Sequence, residues 1–128
     1  MQELFNLGLS DETIKNMYEL NPDMEDKDIL EKKYILEEIK CSNNQIRNII
    51  SSNVLFISKL NTDVINLINC LYNYGFNNLN ILFDANPYIL NLDVFEIENY
   101  IKKRQENGEL LEEIVEDLDF NPYLFNEM

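Results

Sequence analysis

Histidine is absent from this 128-residue chain, and glycine, proline and cysteine are scarce, with three, three and two copies. Without histidine the chain lacks the commonest general base and the commonest transition-metal ligand. Cys41 and Cys70 have no imidazole to activate them. They lie far apart in apolar segments, which predicts buried, reduced thiols. Gly8, Gly75 and Gly108 are isolated, so no glycine-rich loop can cradle a phosphate. The acidic run Asp23-Met24-Glu25-Asp26-Lys27-Asp28 lacks the central glycine and ligand spacing of a calcium loop. No stretch approaches the roughly 18 apolar residues of a membrane span. The opening MQELFNLGLSDE carries neither a basic start nor an apolar leader core. These absences predict a soluble, cytoplasmic protein that is not an enzyme, holds no cofactor or metal, and meets no membrane.

What is abundant is acid. The net charge is −14, from 24 acidic and 10 basic side chains. Residues 1–40 carry 11 acidic and 5 basic groups, residues 41–92 two of each, and residues 93–128 carry 11 and 3. Acid at both ends of a neutral middle fits a short array whose outer layers are the soluble ones. Asparagine is also plentiful, at twenty residues. Its abundance is read as the codon bias of an AT-rich genome, not as a functional asparagine ladder.

One phrase returns four times: an aliphatic residue, six others, then an asparagine that opens a short apolar stretch. It runs from Ile14 to Asn21-Pro22, Ile46 to Asn53-Val54, Leu79 to Asn86-Pro87 and Ile114 to Asn121-Pro122. The marker asparagines are 32, 33 and 35 residues apart, a period that predicts stacked helix pairs. The expected organisation is one all-α domain over 1–128. It is a solenoid with units at roughly 8–40, 41–74 and 75–107, followed by a half unit at 108–128.

Local signals support helices. Ser10 is placed to cap a first helix on which Ile14, Met17 and Tyr18 share a face. A second helix is expected from about Asp26 to Lys40, with Ile29, Leu30, Tyr34 and Ile39 among its apolar positions. Ser42 and Gln45 have capping-box spacing, and Asp93 and Glu96 repeat it. Thr62 is expected to cap a long helix lined by Val64, Leu67, Ile68 and Leu71, which Gly75 would end. In the last unit Leu110, Leu111, Ile114, Val115 and Leu118 form the apolar stripe. No alternating strand pattern or hairpin turn is present.

These residues resemble the repeat of the mitochondrial transcription termination factor (mTERF) family. The resemblance rests on Leu7-Gly8-Leu9-Ser10 with Ile14 and Pro22, on Cys41-Ser42 with Ile46, and on Tyr74-Gly75-Phe76 with Leu79 and Pro87. It implies two α-helices and a short 3₁₀ turn per unit in a left-handed superhelix, and a basic concave surface that grips nucleic acid. The charge points elsewhere, because phosphate contacts need lysine and arginine. The single basic cluster, Lys102-Lys103-Arg104, sits in an acidic helix where Glu98 is positioned to pair with Lys102. The expected partner is therefore another protein, with a basic surface as its natural complement. The candidate contact residues are Glu109, Glu112, Glu113, Glu116, Asp117 and Asp119, opposite the last apolar stripe. Two alternatives stay open: an acidic decoy or inhibitor of a basic toxin or nucleic-acid enzyme, and nucleic-acid binding inherited with the fold.

Overall fold

In the computed structural model residues 6–128 are described; residues 1–5, the start of the segment read as leader-free, lie outside them. The described chain is all-helical, without a strand. Its α-helices are α1 (Asp11–Leu20), α2 (Asp26–Glu38), α3 (Asn43–Ser52), α4 (Asn61–Tyr74), α5 (Leu79–Ala85), α6 (Val94–Glu106) and α7 (Leu111–Phe120). Three 3₁₀ turns follow the later short helices, at Val54–Ser58, Pro87–Asn91 and Pro122–Glu127. None of the described helices is long and apolar enough to cross a membrane.

The four marker asparagines share one backbone conformation, with φ/ψ of −129/68, −133/73, −142/85 and −128/83. Each ends a helix with its own N–H, as Asn53 N donates to Ile49 O at 3.0 Å. Each then opens a turn with its carbonyl, which accepts from Met24, Phe56, Ile89 or Leu124 N at 3.0 to 3.2 Å. Asn21, Asn53 and Asn86 are buried, and their side chains reach into the next phrase. Asn21 Nδ2 donates to Val54 O at 3.0 Å, Asn53 Nδ2 to Pro87 O at 2.9 Å and Asn86 Nδ2 to Pro122 O at 3.0 Å. The acceptor in every case is the residue just after the next marker.

A second bond completes each rung, five residues beyond the next marker. Ser58 Oγ donates to Asn21 Oδ1. Asn53 and Asn91 exchange two side-chain bonds of 3.0 Å, and Asn86 Nδ2 donates to Asn126 Oδ1 at 3.0 Å. Attributing the asparagines to codon bias alone therefore fails at these positions. A buried carboxamide satisfies the first carbonyl of the next 3₁₀ turn, which would otherwise lack a partner in a largely apolar interior, where an unpaired polar group is destabilising. Asn121 has the same backbone but an exposed side chain that makes no hydrogen bond among the described residues.

The core draws on both the short and the long helices. Ile14, Met17, Ile46, Ile49, Ile50, Leu82, Phe83, Ile114 and Leu118 come from the short helices, and Ile29, Leu36, Val64, Leu67, Leu71, Ile97 and Ile101 from the long ones. Phe56, Ile89, Leu90 and Phe125 from the 3₁₀ turns fill the space between them. Cap expectations are met at Ser10, Ser42 and Asp93, whose side chains accept from the third residue of their helices. Thr62 is not a cap: Leu60 precedes α4 and Thr62 lies exposed in its first turn, with the Leu60 carbonyl accepting from Val64 N at 3.2 Å. Tyr34 and Leu110 also depart from expectation, both being exposed on faces that no element covers. Within α2 the buried polar position is Lys32, over the Phe56 ring and bonded to Asn61 Oδ1 at 2.5 Å. Asn61 Nδ2 in turn donates to Glu31 at 2.6 Å, relaying the lysine charge to a carboxylate.

The long helices α2, α4 and α6 end alike, with a residue of positive φ at Lys40 (70°), Gly75 (105°) and Gly108 (92°). At each, the following N–H returns to the helix five residues back, to Leu36, Leu71 and Arg104 O. Glycine takes this left-handed conformation without a Cβ clash, whereas Lys40 takes it under strain.

Two outcomes follow. Asn53→Ala should lower stability by about 2–3 kcal/mol because it strands the Pro87 carbonyl and removes the two bonds to Asn91, whereas Asn121→Ala should change it by less than about 0.5 kcal/mol. Lys40→Gly should raise stability by up to about 1 kcal/mol by relieving the left-handed strain. Urea unfolding of the three variants checks both. Equal losses at Asn53 and Asn121, or a destabilised Lys40→Gly, would contradict the geometry.

Candidate interaction surface

Helix α7 is polar on one side because its apolar residues recur at helical spacing. Ile114, Val115 and Leu118 are buried, while Glu112, Glu113, Glu116, Asp117 and Asp119 are exposed. Glu112 and Glu113 fall in its first turn, where carboxylates favour the positive end of the helix dipole. The six residues singled out in the sequence are near one another in the chain but are not equivalent.

Arg104, near the end of α6, separates them. Its Nε donates to Glu109 Oε2 at 2.8 Å, and its Nη2 to Glu109 Oε1 at 2.5 Å and Asp117 Oδ2 at 2.8 Å. Its Nη1 donates to Tyr100 at 3.2 Å, and the guanidinium lies 5.6 Å from that ring's centre. The fork bonded to Glu109 raises the Arg104 pKa and holds the Glu109 carboxyl below its ordinary value of 4.5. Glu109 and Asp117 are therefore joints between α6 and α7. Desolvation raises the Asp119 pKa. Glu112, Glu113 and Glu116 remain exposed, and among the described residues none of them forms an ion pair.

The basic cluster divides in the same way. Arg104 is structural, while Lys102 and Lys103 are exposed. Among the described residues the expected pair between Glu98 and Lys102 is not formed, whereas Lys33 and Glu37 pair at i,i+4 at 3.9 Å. Lys59 is likewise internal, donating to Leu90 O at 2.6 Å and Leu92 O at 2.8 Å across two 3₁₀ turns. Burial lowers its pKa, as it does for Lys32.

One surface feature was missed in the sequence. The second residue after a marker asparagine is Leu55, Tyr88 and Tyr123 in the last three phrases, and their exposures are 53%, 61% and 64%. Phe120, just before Asn121, is 91% exposed. The signal lies in the phrase itself, whose apolar tail has an exposed first member. In Tyr88-Ile89-Leu90 only Ile89 and Leu90 point inward.

Chemical reactivity is low elsewhere. Burial pushes the Cys41 thiol up to about 12 and raises that of Cys70, so both stay protonated at neutral pH. Among the described residues no group of three or more His, Cys, Asp or Glu is arranged to hold a metal ion.

The Arg104 clamp gives a pH signature. Because the Glu109 pKa is depressed in the folded state, the contribution of the pair is complete above the unfolded value of 4.5 and is lost as pH falls through the folded value. Arg104→Gln should therefore lower the urea midpoint at pH 7, and its gap from the parent should narrow as pH falls below 4.5. A gap that persists undiminished in acid would contradict an ion-pair role. Comparison with protein-family models, curated proteins and solved structures finds no match, so the functional reading rests on this surface chemistry.

Proposed function

We propose that the chain is a short helical-repeat solenoid that binds another protein, with Glu112, Glu113 and Glu116 as the contact that steers a basic partner. The observation that carries this reading is the division made by Arg104. Two of six clustered carboxylates are neutralised internally, and three on one exposed face have no counter-ion. Such a face raises the encounter rate with a positively charged surface and contributes to register more than to raw affinity. The exposed side chains of Leu55, Tyr88 and Tyr123 offer apolar area that an electrostatic encounter alone lacks.

The solenoid part of the reading is supported by the equal backbone angles of the four markers and by three equivalent carboxamide rungs. The 3₁₀ turns after Asn53, Asn86 and Asn121 are what similarity to the mTERF repeat implies. The nucleic-acid activity of that family does not transfer. Arg104, Lys32 and Lys59 are occupied internally, which leaves few cations for phosphates on a chain of net charge −14. The proposed role has no catalytic step and needs no cofactor.

Capture from a lysate of the source cell, on immobilised parent and on Glu112→Gln/Glu113→Gln/Glu116→Gln, tests the reading. A protein retained by the parent at about 50 mM salt, lost at about 500 mM and lost by the triple variant is expected. If that protein is a basic nuclease or toxin, the same surface acts as a decoy. Equal retention by parent and variant would remove the acidic face from the account. A gel shift of duplex DNA or RNA at tens of micromolar protein would contradict the assignment to a protein partner.

A further inference from the structure

The groove between α4 and α6 is walled by a line of carboxamides. Asn66, Asn69 and Asn73 line one side of an open groove of about 510 Å³, with Val94 and Glu98 along the other. The three asparagines stand at i, i+3 and i+7, one face of a helix. All three are exposed, and among the described residues none makes a side-chain hydrogen bond. This sets them apart from Asn21, Asn53 and Asn86, whose carboxamides are consumed between layers. Asparagine is a poor helix former, since its side chain competes with the backbone. Three on one exposed stripe weaken α4 without any internal bond in return.

A carboxamide presents a donor and an acceptor side by side, which is the complement of one peptide group. Seven residues of helix rise about 10.5 Å, and three residues of extended chain span about 10 Å. The stripe therefore matches a short run of extended main chain. Glu98 is the charged group of the groove, and no lysine or arginine lines it. That excludes a phosphate backbone and favours a cationic side chain. Cys70 and Tyr74 supply the floor between the polar groups.

We propose that the α4/α6 groove is a binding site for an extended peptide segment, whose main-chain amides pair with Asn66, Asn69 and Asn73 and whose lysine or arginine meets Glu98. The inference rests on the reading of the chain as a protein-binding module, but it uses a surface distinct from the α7 carboxylates. The occupant it commits to is an unstructured basic stretch of a partner, recognised mainly through its backbone.

The test uses synthetic heptapeptides with a central lysine fixed and flanking positions randomised, read by fluorescence anisotropy against the full chain. The tightest member should lose at least about tenfold in affinity on Asn69→Ala/Asn73→Ala, and as much when its central amides are N-methylated. Glu98→Gln should weaken binding and flatten its salt dependence. Alanine at exposed helical positions favours the helix, and circular dichroism confirms that the variants fold. The Glu112→Gln/Glu113→Gln/Glu116→Gln variant should bind the heptapeptide as the parent does, which separates the groove from the α7 face. No binding by any member up to millimolar concentration overturns the groove proposal. So does binding indifferent to Asn69 and Asn73, or displacement by a single-stranded oligonucleotide. Lysate capture through α7 would stand in each of those cases.

Discussion

A buried carboxamide that bonds across to the next phrase is the constraint on which the fold depends. Asn21, Asn53 and Asn86 each do three things at one position: the N–H closes a helix, the carbonyl starts a turn, and the side chain grips the following turn. Only asparagine fits all three. Aspartate has no proton to donate to the Val54, Pro87 or Pro122 carbonyl, and a hydrophobic residue would leave those acceptors unpaired in an apolar interior. The spacing of the phrase then follows from geometry, since each marker must meet the residue just after its successor.

Hydrophobic filling and electrostatics are arranged around those rungs. Phe56, Ile89, Leu90 and Phe125 enter the core from the turns that the rungs hold, so the same contact fixes backbone and packing. Lys59 ties the end of one turn to the end of the next, and Lys32 reaches Glu31 through Asn61. Arg104 does the equivalent work between α6 and α7. Arg104 and Lys32 are met by carboxylates, directly or through Asn61, and Lys59 by backbone carbonyls, so all three cations are engaged within the fold.

Much of this was legible in the sequence because the signals were local. Ser10, Ser42 and Asp93 were identifiable as caps, and the stripes through Ile14, Ile46, Leu67 and Ile114 gave the buried faces, all of which depend on residues within one turn of each other. What was not legible needed partners far along the chain. The rungs join residues 33 to 36 apart, so abundant asparagine looked like composition. Tyr34 and Leu110 satisfied the helical pattern, but no neighbouring element covers them. Among the six acidic candidates, Glu109 and Asp117 differ from Glu112, Glu113 and Glu116 only because Arg104 lies within reach, a fact of the α6–α7 packing.

The central claim is that Asn21, Asn53 and Asn86 spend their side chains on bonds to the next phrase, while among the described residues Asn66, Asn69, Asn73 and Asn121 make no side-chain hydrogen bond. Side-chain amide hydrogen exchange measured by nuclear magnetic resonance separates the two groups directly. The account predicts strongly protected Nδ2 protons at Asn21, Asn53 and Asn86, and fast exchange at Asn66, Asn69, Asn73 and Asn121. Uniformly fast exchange across all of them would contradict it.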